Sequence, residues 1–491
     1  MHGSVPTFRP PARLAPALAA LAAVTAIRLA IAAAVPLSPD ETYYWLWSRA
    51  LQPGYPDHPP MVAFWIRAGT WVAGNTPLGV RLLGPLSGAL GTYLLYQAAE
   101  WLLPGRRAGI TAALLLNATL MFGVGTVVMT PDTPLLFFWV ACLWALAGFS
   151  RDRNGWWLVL AAVAAGAGFD SKYTAAFLAL GGALWLCWVP ALRRVWLTPM
   201  PYWGLLFGMQ AVMPVIRWNQ DHAWVSFLRQ GGRLAHWHPA HAPRLLLELV
   251  ATQAGLASPL LAVLFVAGIV LATRRAWREQ DIGAALLAAM TLPAAIVFVQ
   301  HSFAGRVQGN WPAILYPGAA LAAAALRGRW RRLIGPGVAL GLAVTALTYA
   351  QAATGFVPIP PARDPTAFRL AGWSGLAREA AAAARAAGAS YIAGTDYDVA
   401  SELAFHLPPA MTVLGVGPRW GYFDLPRPGA GTGLLVRSFH RAGPPRTAPW
   451  ASIRPLGVLW RRRGGTRVEG YRTYLVTLRP KTVPAAVLPR P

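Results

Sequence analysis

The chain has 491 residues, of which 56% are hydrophobic and only 12% charged, and its apolar residues recur in runs long enough to cross a bilayer core. A crossing takes ~20 helical residues, so this composition excludes an ordinary soluble globular protein and predicts a polytopic α-helical membrane protein. The formal charge of +25 would suggest nucleic acid in a soluble chain, but the basic residues fall in short clusters between apolar runs, the pattern of topology signals, which argues against a nucleic-acid partner.

The first apolar run covers residues 14–36 and is interrupted by Arg28, which together with the many later runs distinguishes it from a signal peptide. Arg28 is costly in a bilayer unless it is paired or solvated. Directly after the run comes "SPDET", which reads as a helix start: Ser38 as N-cap, Pro39 at the first helical position and Glu41 as the return arm of a capping box. In that role Glu41 should tolerate replacement by Gln. The box does not require Asp40, so a carboxylate pair stands where the span ends, in a chain with only 18 acidic residues.

Tyr43, Tyr44, Trp45 and Trp47 then make an aromatic patch suited to the headgroup layer, or to stacking on a substrate. "GYPDHPPM" follows with Asp57 and His58, before a second helix opened by Pro59 and Pro60. The loop 37–78 therefore reads as two interfacial helices carrying three carboxylates. His58 is either a surface histidine or a phosphate-facing one, since the neighbouring Asp57 raises the fraction of imidazolium.

Further runs at 79–103, 108–128, 133–149, 156–169, 173–190, 201–216, 245–272, 282–300, 311–326 and 333–355 bring the predicted spans to eleven. The stretch 156–190 is read as two short helices. A single span would bury Asp170 and Lys172 in mid-bilayer and would put Arg193 and Arg194 on the wrong side. With strict alternation, Arg9/Arg13, Arg106/Arg107, Arg151/Arg153, Arg193/Arg194, Arg274/Arg275/Arg278 and Arg327/Arg329/Arg331/Arg332 all fall on one side, which the positive-inside rule makes cytoplasmic. The outer side receives Asp40/Glu41, Asp57/His58, Arg81, Asp132 in "TPDTP", Asp170/Lys172, residues 217–244 and the segment from Arg306 to Asn310.

Cys142 and Cys187 lie in apolar runs and lack metal-ligand spacing, so neither a disulfide framework nor a thiolate site is predicted. His236, His238 and His241 invite a zinc reading, against which stands a histidine-bearing acceptor or interfacial loop. No cofactor is implied; a divalent metal is compatible with the sequence without being required. From about Gly355 the composition turns mixed, with Pro-rich joints such as "PIPPARDP". A helix at 376–387, a strand at 391–393 and a helix at 399–407 predict a small α/β domain over 356–491, outside the membrane and following a transmembrane unit over 1–355.

The ordered set "LSPDETYYWLWSRALQPGYPDHPPMVAF", "RLLGPLSG", "MTPDTPLLFFW", "FDSKYTA", "PVIRWNQDHAWVSFLRQGGR", "GRVQGNWPA" and "DYDVASELAFHLP" resembles the family 39 glycosyltransferases. These are membrane enzymes of the GT-C fold that use polyprenyl-phosphate sugars, among them protein mannosyltransferases and lipid A aminoarabinose transferases. The resemblance implies a GT-C fold with a periplasmic C-terminal domain, and an inverting transfer of a sugar from a polyprenyl-phosphate carrier to a lipid A, polysaccharide or protein acceptor at the periplasmic face of the inner membrane. It makes Asp40 the catalytic carboxylate and Asp57 a second acid of the cleft, with Glu41 beside them. Asp132, His58, Lys172, Tyr44, Arg81, Arg306 and Asn310 form the implied substrate-binding set. The aminoarabinose branch has Glu-Lys-Pro-Pro where this chain has Asp57-His58-Pro59-Pro60, so Lys172, Arg81 or Arg306 would have to supply the missing phosphate contact. The rival readings are a flippase or transporter of lipid-linked sugars, which lacks the paired interrupted segments of repeat-built carriers, and a non-catalytic membrane scaffold.

Overall fold

The computed structural model describes residues 14–104, 108–231, 239–479 and 481–491. Arg9, Arg13, Arg106 and Arg107 of the basic clusters, and His236 and His238, lie outside the described residues. Among the described residues six helices are long and apolar enough to cross a membrane: Ala15–Ala34, Pro77–Leu102, Asp132–Asp152, Pro259–Arg278, Ile282–His301 and Arg329–Thr354. Tyr173–Trp188 and Pro190–Leu197 make a seventh only if a pair bent by 111° counts as one span. The predicted span 201–216 lies in the 22-residue helix Met200–Asp221, which is long enough but not apolar enough to join these, and the remaining predicted spans correspond to shorter helices or to broken ones.

Two breaks depart from the continuous runs read in the sequence. Residues 108–128 divide into Ala108–Asn117 and Leu120–Gly125, because Thr119 is extended and its hydroxyl caps the second helix by accepting the Phe122 N–H at 3.1 Å. Residues 245–272 divide into Ala242–Ala257 and Pro259–Arg278 at Ser258, whose φ of 80° ends the first helix, and Pro259 has no N–H to continue it. The stretch 156–190 does form two helices, Trp156–Phe169 and Ala176–Trp188, around a turn that carries Asp170, Ser171 and Lys172. Trp156–Phe169 lies close against Met200–Asp221: a Cβ on Gly166 would sit 2.3 Å from the Gly208 carbonyl oxygen, so only glycine permits that approach.

The loop 37–78 folds into α2 (Pro39–Arg49) and α3 (Met61–Ala73), after α1 (Leu14–Ala34). Beyond Thr354 the chain builds a six-stranded mixed sheet from β1 (Tyr391–Gly394), β2 (Thr412–Val416), β3 (Thr432–Ser438), β4 (Trp450–Arg463), β5 (Thr466–Leu478) and β6 (Ala485–Val487). The strand order is β4-β5-β3-β1-β2-β6, with β1 parallel to both β2 and β3 and the other pairs antiparallel. Helices Trp373–Ala386 and Tyr397–His406 flank the sheet, close to where the sequence places them. The long β4–β5 hairpin turns on Gly464 and Gly465, both at positive φ as a two-residue primed turn demands.

The aromatic patch of α2 is not a headgroup anchor. Trp45 and Trp47 are fully buried, Tyr43 and Tyr44 nearly so, in one hydrophobic core that α2 and α3 share with Trp373, Leu376, Leu403, Trp420 and Phe423 of the C-terminal unit. The Thr42 hydroxyl donates to the Ser401 hydroxyl across this seam at 3.1 Å. The composition of α2 fits an interfacial helix, but the C-terminal sheet unit, far along the chain, covers its aromatic face and makes it part of a protein core.

Candidate active site

The start of α2 is fixed from several sides. The Glu41 carboxylate accepts the Ser38 N–H at 2.9 Å and the Ser38 hydroxyl at 3.0 Å, the return arm of the capping box. It also meets Arg81 in a fork, Nε to Oε1 at 2.6 Å and Nη2 to Oε2 at 2.7 Å, and accepts the Met129 N–H at 3.0 Å. The remaining Arg81 donors reach the carbonyls of Ala32, Val35 and Pro36, orphan acceptors at the end of α1. Both side chains are sealed, 1% exposed for Arg81 and 0% for Glu41. All five N–H groups of Arg81 are thus engaged within the protein, which leaves none for a ligand phosphate, and Glu41 does more than cap.

Asp40, the next residue back, is different. It is half-buried and accepts from the Tyr397 hydroxyl at 2.8 Å. Tyr397 opens the helix Tyr397–His406, so the C-terminal unit reaches into the loop 37–78 at this carboxylate. Burial and the Asp40 charge push the Tyr397 phenol far up, which keeps it a hydrogen-bond donor. Tyr44 is likewise held protonated by burial and by the fields of Asp40 and Asp57.

Asp57 has a different set of partners. It accepts the Tyr43 hydroxyl at 2.9 Å and pairs with Arg229 at 2.6 Å and with Arg419. His58 is half-buried beside the Tyr44 ring, their centroids 6.5 Å apart. Arg419 stacks over Tyr397 at 4.6 Å and over Tyr43 at 5.2 Å. Sequence reading passed over Tyr397, Arg229 and Arg419. Tyr397 carried a signal, set between Asp396 and Asp398 at a helix start; Arg419 and Arg229 carried none.

A third group joins three residues of the implied binding set. The Lys172 ammonium meets Asp132 Oδ1 at 2.7 Å, and the Asn310 amide donates to Asp132 Oδ2 at 2.6 Å. Asp132 is thus the ion-pair partner of Lys172; Asp170, two residues before it, makes no ion pair with it among the described residues, and burial pushes the Asp170 carboxyl up to about 7. Because Asp132 and Lys172 are both buried, Lys172→Met leaves a carboxylate without its cation and is expected to cost ~3–5 kcal/mol of stability. Pairing it with Asp132→Asn should recover most of that loss. Chemical unfolding of both variants in detergent tests this, and a single variant as stable as the parent would dismiss the pair as a structural element.

Arg306 stands apart from these groups. It pairs with Glu248 across a cleft of about 670 Å³ that His241, Arg244 and Gly305 also line. Among the described residues no three His, Cys, Asp or Glu side chains converge as a metal site.

Comparison with known proteins adds the family context. Residues 57–218 match the family described as dolichyl-phosphate-mannose-protein mannosyltransferase. The lipid A galacturonosyltransferase RgtD of Rhizobium johnstonii is 28% identical over 375 residues, covering 76% of this chain and 78% of that protein. This chain is a membrane glycosyltransferase. The fold of the glycosyltransferase is that of ArnT from Cupriavidus metallidurans. With undecaprenyl phosphate bound, that structure superposes with a TM-score of 0.62 at 15% identity, covering 96% of this chain and 100% of ArnT; the apo form gives 0.61 at 16% identity, covering 94% and 98%.

Proposed function

We propose that the enzyme moves a sugar of the galacturonate class from a polyprenyl-phosphate carrier to lipid A, in one inverting displacement, with Asp40 as the proton acceptor. The acceptor hydroxyl oxygen attacks the anomeric carbon, the bond from that carbon to the phosphate oxygen breaks, and the electron pair leaves with the carrier phosphate. The hydroxyl proton passes to Asp40. One observation carries the assignment: of Asp40, Glu41, Asp57 and Asp132, only Asp40 has no ion pair among the described residues. A general base needs an accessible lone pair, and the three neighbours have theirs committed to cations. Asp57, Tyr44, His58, Lys172, Asp132 and Asn310 line or support the same outer region, while Glu41 and Arg81 hold its frame. The name of the galacturonosyltransferase relative supports the acceptor and sugar class, and the undecaprenyl phosphate in the ArnT structure supports the carrier.

In this reading residues 1–355 form the catalytic unit with eleven crossings, and 356–491 a periplasmic domain that closes over the loop 37–78. Purified protein given polyprenyl-phosphate galacturonate and lipid A should yield lipid A with one added uronic acid by mass spectrometry; no transfer with any lipid-linked sugar would overturn the reading. The sidedness has its own test. His440 is exposed, so a cysteine placed there should react with an impermeant maleimide in intact spheroplasts, and protection would mean an even number of crossings.

A further inference from the structure

The outer-face cations divide sharply by what remains of their donors. Arg81 has every N–H engaged, and Lys172 is buried against Asp132. Arg306 is paired with Glu248 in a separate cleft. Arg419 uses one nitrogen only: Nη1 donates to Asp57 and, at 3.1 Å, to the Tyr43 hydroxyl, while its Nε and Nη2 make no hydrogen bond among the described residues. The group is held in place by its aromatic neighbours. It lies on the Tyr397 ring, whose hydroxyl is bonded to Asp40, so a guanidinium with an unused edge stands one tyrosine away from the carboxylate assigned as base. The side chain is 28% exposed, open enough for a ligand to reach.

We infer that Arg419 of the C-terminal unit binds an oxyanion of the sugar donor and so makes that unit part of the substrate site. This rests on the functional reading above. The chemistry fits a planar fork that still has two nitrogens to offer, since guanidinium recognises phosphate and carboxylate by paired N–H···O bonds. It also answers a charge problem: Asp40 and Asp57 both repel an anionic donor, and Arg419 is placed between them through Tyr397 and Tyr43. Two oxyanions of such a donor have this chemistry, the carrier phosphate and the carboxylate of a uronic acid sugar. Arg229, which holds the other oxygen of Asp57, keeps that carboxylate paired when Arg419 turns its free edge to the ligand.

The test measures binding to the full-length protein in detergent of four probes: undecaprenol, undecaprenyl phosphate, polyprenyl-phosphate glucose and polyprenyl-phosphate galacturonate. Arg419→Gln is expected to weaken an oxyanion-bearing probe roughly tenfold or more while leaving undecaprenol unchanged. Loss already present with undecaprenyl phosphate assigns the phosphate; loss confined to the galacturonate probe assigns the sugar carboxylate. A merely structural residue would shift all four probes alike, and that result, or parent-like binding of all four, overturns the inference. Should the Gln variant fail to fold, Arg419→Lys serves. It keeps the charge without the fork and is expected to lose severalfold of the preference over undecaprenol; an unchanged preference again overturns the inference. Failure of the parent protein itself to prefer any phosphorylated probe would instead remove the donor reading on which the inference stands.

Discussion

Asp40→Asn is expected to fold as the parent does and to lower sugar transfer by ~10²–10⁴-fold. The amide oxygen still accepts the Tyr397 hydroxyl, and Asn is at home near a helix start, so the architecture at residue 40 survives. The N-terminus of α2 gains only ~0.3–1 kcal/mol from an anion there, a small loss against the stability of a membrane domain. What disappears is the basic lone pair. Turnover measured on the purified, monodisperse variant separates these effects, because a damaged fold would change the unfolding midpoint as well. Near-parent turnover would remove Asp40 from the chemistry. The acceptor group can be read from the same variant: with a lipid A hydroxyl the proton has to be taken up, whereas a phosphate acceptor arrives deprotonated and should suffer far less from the loss of a base.

The helices and the polar groups at their ends were legible because each has a local signature. The 14–36 run and the "SPDET" start need nothing beyond ~20 apolar residues and a capping box, and the turn at Asp170–Lys172 follows from a stretch too long for one crossing and too polar in its middle. The Ser258-Pro259 break was also written in the sequence, as a proline at the head of a helix, but the apolar run through it masked the interruption. The partners of the carboxylates were not legible. Nothing in the spacing of Asp40 and Tyr397, Asp57 and Arg419, or Asp132 and Asn310 signals contact between residues 178 to 362 positions apart. The same holds for the aromatic face of α2, whose composition fits a membrane interface as well as it fits a protein core until the sheet unit is known to cover it. The β4 strand escaped for another reason: as an exposed edge strand rich in Arg it lacks the alternation that marks a half-buried strand.

The Glu41–Arg81 pair changes the expected outcome of a substitution that looks mild in sequence. As a capping-box arm alone, Glu41→Gln would cost a few tenths to 2 kcal/mol, since Gln can still receive the Ser38 N–H. In the structure the same carboxylate is the counter-ion of a fully buried guanidinium and also receives the backbone of Met129. Removing its charge leaves Arg81 held by three carbonyls and no anion, a situation that costs ~3–5 kcal/mol. The reverse change, Arg81→Met, should cost about as much, because Glu41 is then a sealed anion and the carbonyls of Ala32, Val35 and Pro36 lose their donors. Either variant loosens the junction of α1, α2 and the helix Pro77–Leu102, and Asp40 rides on that junction. Both should therefore lower the unfolding midpoint in detergent and lose turnover only in step with the folded fraction. Asp40→Asn does the opposite, losing turnover at constant stability. A Glu41→Gln protein as stable as the parent but inactive would move Glu41 out of the frame and into the chemistry.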